Sequence, residues 1–203
     1  MMDALSILKT FFSADMVIYA AIIIIALTAL ARCTLPLSRV AGKLRRAART
    51  IVTESKQNKE KKSWNDIHFL GDELSGTWAD FLQNAEMRDA HGETCDVSQY
   101  INEDSVIFAL GNTGFADLAP GVMTSLGILG TFLGLVMGLS GLSLNGADTE
   151  VVLKAMDQLI RGMSTAFLTS IVGVCGSLLF NLLNNRAVNK CQKAIDRFCE
   201  VFG

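Results

Sequence analysis

Charge disappears from this sequence three times. Residues 118–147, LAPGVMTSLGILGTFLGLVMGLSGLSLNGA, hold no charged side chain between Asp117 and Asp148. Roughly 20 such residues suffice for a helix to cross the hydrocarbon of a bilayer. Residues 16–31 form a shorter apolar run bounded by Asp15 and Arg32, and residues 162–185 form a third. The pattern predicts an all-α integral membrane protein with three transmembrane helices and cytoplasmic helical extensions. Its expected order is an outer interfacial helix (1–15), a first span (16–32), a cytoplasmic helical region (33–117), a second span (118–143), an outer loop with an interfacial helix (144–161), a third span (162–185) and a helical tail (186–203).

Periodicity gives the second and third spans a common character. Gly127, Gly130, Gly134, Gly138 and Gly141 recur every three or four residues and fall on one helical face, with Thr124 and Thr131 on the same stripe. Leu126, Ile128, Phe132, Leu135, Val136 and Leu139 occupy the other side. In the third span Gly162, Thr165, Ala166, Thr169, Gly173, Gly176 and Ser177 form a matching stripe with Ser170 at its edge. Small residues let helix backbones approach closely in a bilayer, so a single GxxxG means no more than helix pairing. Hydroxyls in such helices often bond back to their own carbonyls. A hydroxylated glycine stripe on both spans points further, to a packed channel wall. The first span, VIYAAIIIIALTALA at its centre, has no polar stripe and reads as a lipid-facing outer helix.

The polar segments carry patterns of their own. Ala4, Leu5, Leu8, Phe11 and Phe12 share a face with Lys9 away from it, which suits an interfacial helix. Basic residues follow the first apolar core and no small-x-small cleavage site does, so this is read as a retained anchor and not a signal peptide. Val40, Leu44, Ala47 or Ala48 and Ile51 carry the first span onward as a helix past Pro36. Ile67, Leu70, Leu74, Trp78, Phe81, Leu82 and Ala85 give a second amphipathic helix, weakened locally by Gly71 and Gly76. Residues 91–101 lack a period and read as loop or a short hairpin, whereas Asn102–Ser105 supply helix-start chemistry before Val106. Pro120 is expected in the first turn of the central span. Val151, Val152, Ala155, Met156, Leu159 and Ile160 form an apolar face beside Lys154, Asp157 and Arg161, an interfacial approach to the third span. In the tail, Val188, Cys191, Ile195, Phe198 and Phe202 make a heptad-like seam that needs a bundle to pack in. The seam still runs at the last residue, which suggests the head of a longer protein; a short packed terminal helix is the alternative.

Charge sets orientation. Arg39, Lys43, Arg45, Arg46, Arg49, Lys56, Lys59, Lys61 and Lys62 follow the first span, and Arg186, Lys190, Lys193 and Arg197 follow the third. The positive-inside rule places both groups in the cytoplasm and the amino terminus outside. These groupings are explained by topology and headgroup contact, and a net charge of −2 argues against nucleic-acid binding. Five cysteines without a CxxC pair and two isolated histidines, His68 and His91, offer neither a disulfide framework nor a metal site.

No span carries Asp, Glu, Lys, Arg or His in its interior. Hydroxyls can pass a proton or solvate an ion but cannot store the charge, so an ion pathway here needs a carboxylate from a partner's span facing Thr131, Thr169 and Ser170.

GVMTSLGILGTFLGLVMGL followed by GMSTAFLTSIVG resembles the two pore-lining helices of the MotA/TolQ/ExbB proton-channel family, the larger subunits of ion-driven motors. The three-span layout is similar to the TolQ and ExbB branch. INEDSVIFAL, APGVMTSLGILGTFLGL and the continuing tail resemble the ZorA group, motor subunits of Zorya anti-phage defence. By position, the resemblance puts the family threonine of the central span at Thr131 and that of the last span at Ser170, beside Thr169. Where TolQ and ExbB carry an outer glutamate this sequence has Thr165. The implied pathway is Thr131, Thr169, Ser170, Thr165 and Thr124, with Gly127, Gly130, Gly134, Gly138, Gly173 and Gly176 packing the helices. The resemblance further implies a homo-pentamer in the bacterial inner membrane. It would enclose a dimer of a single-span MotB/ExbD/TolR/ZorB-like protein that supplies an aspartate, with H+ or Na+ as the transported ion and no cofactor. Ion flow would drive rotation in anti-phage defence. The rival readings are a TolQ/ExbB-type envelope transducer and a non-conducting membrane scaffold. An intramembrane enzyme fares worst, because no span offers a nucleophile paired with a base.

Overall fold

The computed structural model describes residues 4–57, 63–91, 94–140 and 149–202. All regular structure among them is helical: α1 (Ala4–Ala29), α2 (Leu35–Gln57), α3 (Ser75–Asp89), α4 (Thr113–Ser140) and α5 (Thr149–Phe202), with short 3₁₀ and π turns between. Three helical stretches, Met16–Ser55, Val97–Leu139 and Val152–Phe202, are long and apolar enough to cross a membrane. Gly141, residues 144–148, Lys59, Lys61, Lys62 and the side chains of 4–15 lie outside what is described.

Two compact units share the chain. One comprises 1–29 and 117–181, the other 30–116 and 182–203. In the first, α1 buries Ile18 and Ile22, one turn apart, and leaves Met16, Val17, Ile23, Ile24 and Leu27 exposed. The segment read as an interfacial helix is backbone-continuous with the span that follows, since α1 begins at Ala4.

The helix that carries the central span begins before its proline, so Pro120 is not in its first turn. Helix α4 starts at Thr113, and Pro120 lies inside it, buried. A proline in a helix interior removes one backbone hydrogen bond and crowds the carbonyl one turn back, at about 3 kcal/mol. The earlier start is set by the turn before it. Gly111 donates to the Ile107 carbonyl at 2.8 Å, and any Cβ there would stand 2.5 Å from that oxygen. Asn112 then takes the left-handed conformation (φ 43°), tolerated better by Asn than by most residues, and its carbonyl accepts from Phe115 and Ala116 to open the helix.

In the second unit Pro36 sits at the second position of α2, directly after the π turn Leu30–Thr34. The wider turn takes the carbonyl that the proline ring would strike out of its path. From there α2 presents Leu37, Val40, Ala41, Leu44, Ala47 and Ala48 to a core completed by Leu70, Leu74, Trp78 and Phe81, by Val97, Ile101, Val106 and Ile107, and by the tail seam Cys191, Ile195 and Phe198. The second amphipathic helix is shorter than its pattern. Gly71 adopts φ 91°, which breaks the chain before Asp72, so α3 begins only at Ser75 and Ile67 is left exposed. Residues 97–99 form a 3₁₀ turn capped by Asp96, whose side chain accepts from the Ser98 amide at 2.9 Å. The tail closes the aromatic part of the core, with Phe198 and Phe202 edge-on to Trp78 at 5.8 and 5.5 Å.

Candidate functional site

The glycine stripes of α4 and α5 face one another. A Cβ built on Gly127 would meet the Cα atoms of Gly173 and Ser170 at 3.2 Å, on Gly130 the Thr169 hydroxyl at 2.6 Å, on Gly134 the Ala166 Cβ at 2.8 Å, and on Gly138 the Gly162 Cα at 3.7 Å. As one residue number rises its counterpart falls, so the two helices are antiparallel and in register over three turns. Without Cβ atoms the backbones reach contact distance, where dispersion replaces the hydrophobic drive that a bilayer does not supply. The tightest approach to backbone on the stripes is at Gly173, whose Cβ would be 2.7 Å from the Met123 carbonyl and 2.9 Å from the Gly127 Cα. Gly176 is different: its nearest neighbours, Ile22 and the Met123 sulfur, are at 3.7 and 3.8 Å, ordinary contact. Gly162, the mate of Gly138, is packed more closely than Gly127 or Gly138 and less closely than Gly130 or Gly134, with the Gly138 Cα 3.1 Å from its Cβ position.

The hydroxyls converge at the middle of this interface. Thr131 donates to the Gly127 carbonyl at 3.1 Å in its own helix and to the Ala166 carbonyl at 3.2 Å across the interface. Thr169 donates to that same Ala166 carbonyl at 2.8 Å. One carbonyl of α5 therefore collects hydroxyls from both spans. Thr169 is wholly buried, whereas Thr131 and Ser170 keep part of their surface. The other two hydroxyl positions stand apart: Thr124 donates to Pro120 at 3.0 Å and Thr165 to Gly162 at 3.0 Å, each within its own helix. Back-bonding to the helix thus accounts for Thr124, Thr165 and Thr169 entirely and for Thr131 in part, since only Thr131 also reaches across the interface.

Outside the stripe, α4 exposes Leu118, Val122, Ile128, Leu129, Phe132 and Val136, and α5 exposes Phe167, Leu168, Ile171, Leu178 and Leu179. Ahead of the third span, Arg161 pairs with Asp157 at 2.8 Å and Lys154 with Glu150 at 3.2 Å, each one turn along the same helix. Among the described residues no three His, Cys, Asp or Glu side chains gather as metal ligands.

Comparison with known sequences matches the family described as "Anti-phage protein ZorA, Zorya type I system" over residues 6–203. The chain belongs to the ZorA-like family. Two curated relatives are similar to it. The Zorya protein ZorA of Escherichia coli O139:H28 is 28% identical over 140 residues, 64% of this chain, and that of the Crooks strain of Escherichia coli is 43% identical over 67 residues, 33% of this chain. The matched segments cover only 19% and 11% of those relatives' own lengths. Nearly the whole chain, with both glycine-bearing spans, thus falls within the family match.

Proposed function

We propose that this chain is the membrane part of an ion-driven motor subunit in anti-phage defence. It would surround a partner helix pair and turn ion flow into rotation. The observation that carries the proposal is the convergence of Thr131 and Thr169 on the Ala166 carbonyl, in two spans whose interiors hold no Asp, Glu, Lys, Arg or His. Because the Thr131 proton is already committed to backbone carbonyls, the hydroxyl can serve a further group only as an acceptor. An acceptor stabilises a protonated carboxyl group, which donates, or a cation, and gives little to a bare carboxylate. Thr131, with the partly exposed Ser170 on the adjoining helix, would therefore favour the protonated or cation-bound state of a partner's carboxylate as it passes, while Thr169 holds the helices together. One charge crossing 100 mV releases about 2.3 kcal/mol, so several ions per turn suffice for mechanical work.

This reading places the motor in the bacterial inner membrane as a pentamer around two single-span ZorB-like chains, each contributing an aspartate, with the basic segments of the second unit on the cytoplasmic side. The proton is the simplest ion for it. The scaffold reading has an observation in its favour, since the glycine stripes of α4 and α5 fill one another. The two part on one substitution. In proteoliposomes containing the chain with its partner, Thr131→Val abolishes flux and leaves the complex assembled if Thr131 serves the ion; a scaffold is indifferent to it.

A further inference from the structure

The chain passes between its two units at 29/30, 116/117 and 181/182. Thr34, Asn112 and Asn184, all in the second unit, fall within five residues of one of these passages. Two of them are anomalous. Thr34 Oγ1 and Asn184 Oδ1 are buried side-chain oxygens with no hydrogen-bond partner, and Thr34 as a whole is only 9% exposed.

Thr34 is set apart from seven other helical threonines. Thr28, Thr50, Thr53, Thr124, Thr131, Thr165 and Thr169 all donate to a carbonyl one turn back. Thr34 closes the π turn Leu30–Thr34, whose wider winding moves the usual acceptor out of reach. Its hydroxyl is left to find a partner elsewhere. Three residues further on, Leu37 enters the buried core of this unit, and three residues beyond Asn184, Ala187 enters the same core. A step of three residues keeps a helical side chain on its face. Thr34 and Asn184 therefore each stand one helical step from a residue of that core, on the face that leads into it. The Asn112 carbonyl belongs to the same level, since Cys33, next to Thr34, approaches it at 3.7 Å.

We infer that Thr34 and Asn184 hold a buried water molecule at this end of the second unit. The water accepts the Thr34 hydroxyl proton, donates one hydrogen to Asn184 Oδ1, and turns the other toward the Asn112 carbonyl. That satisfies two otherwise orphaned oxygens, which is the condition under which buried waters persist. A cation is the poorer occupant. It asks for a fuller oxygen shell and a compensating carboxylate, and these neutral side chains offer neither. The bridge would fix the register of α5 against the π turn, and it is independent of whether the spans conduct.

The test is a double-mutant cycle on the full chain purified in detergent, with Thr34→Val and Asn184→Leu made singly and together and thermal unfolding followed for each. A shared water predicts that each single change lowers the melting temperature, and that the double change restores much of the loss because no orphan remains. Additive losses, or single changes without effect, overturn the inference. Should the double variant fail to fold, the wild-type density decides. A peak within hydrogen-bond reach of both oxygens supports the water, and a dry site or a direct Thr34–Asn184 bond rules it out.

Discussion

At the scale of single residues, the glycines of the two facing spans are not equivalent, and the difference is measurable. Adding a methyl group at Gly173 brings it to 2.7 Å from a backbone oxygen that cannot step aside, whereas at Gly176 it meets side-chain atoms at 3.7 Å and beyond. Gly173→Ala is expected to part the helices and destabilise the chain by about 1–3 kcal/mol, the usual penalty of overpacking. Gly176→Ala is expected to change stability little or raise it slightly, since alanine is also the better helix former. Thermal unfolding in detergent separates the two. Periodicity alone put both glycines on one stripe; only the distances tell contact from room. It also put Thr169 beside Thr131 and Ser170 without showing that Thr169 is the wholly buried member. Charge and acidity matter at this scale too. Lys43 holds the Glu73 carboxyl below the usual carboxylate range through a direct hydrogen bond and ion pair. A lowered acid pKa contributes stability that is complete above the ordinary carboxylate pKa and is lost as pH falls through the depressed value. Both side chains are more than a third exposed, so the contribution is on the order of 0–1 kcal/mol. Glu73→Gln should therefore lower the melting temperature slightly at neutral pH, by an amount that shrinks as the pH falls through and below the ordinary carboxylate range, compared in otherwise identical melts.

At the scale of elements, hydropathy shows the helices more clearly than their ends. The apolar runs and the tail seam were legible because period and length coincide over many residues. The start of α4 was not: Pro120 is a strong first-turn signal, but Gly111 and Asn112 form the turn that opens the helix at Thr113. The π turn before Pro36 was also hidden, because it answers a steric clash that no local motif records. The tail seam illustrates the opposite case. Spacing showed that Cys191, Ile195 and Phe198 want a common partner, and the core of α2, α3 and the segment around Ile101 is that partner. Burial there pushes the Cys191 thiol up to about 11, so it is a packing residue with little thiolate at neutral pH. Phe198, fully buried against Trp78, is the keystone of that seam. Phe198→Ala is expected to cost about 3–5 kcal/mol, followed by tryptophan fluorescence during unfolding.

At the scale of the whole molecule, three long apolar helices and membership in the ZorA-like family define a multi-pass membrane protein of known kinship. What the sequence leaves out of its own spans is as informative as what it puts in. On the motor reading, a pathway of hydroxyls without a carboxylate, lysine, arginine or histidine demands a second chain, and this dependence is that reading's most exposed consequence. The partner, pentamer and rotation of the proposed motor leave no periodic mark on one chain, because each would be a property of surfaces meeting outside it. The most direct measurement is ion flux through proteoliposomes holding the chain together with its single-span partner, under an imposed proton gradient and then a sodium gradient, with wild type beside Thr131→Val. The account predicts flux that requires both proteins and is lost in Thr131→Val while the complex stays assembled. Flux that persists undiminished in Thr131→Val, or an assembled wild-type complex that passes neither ion, would contradict it.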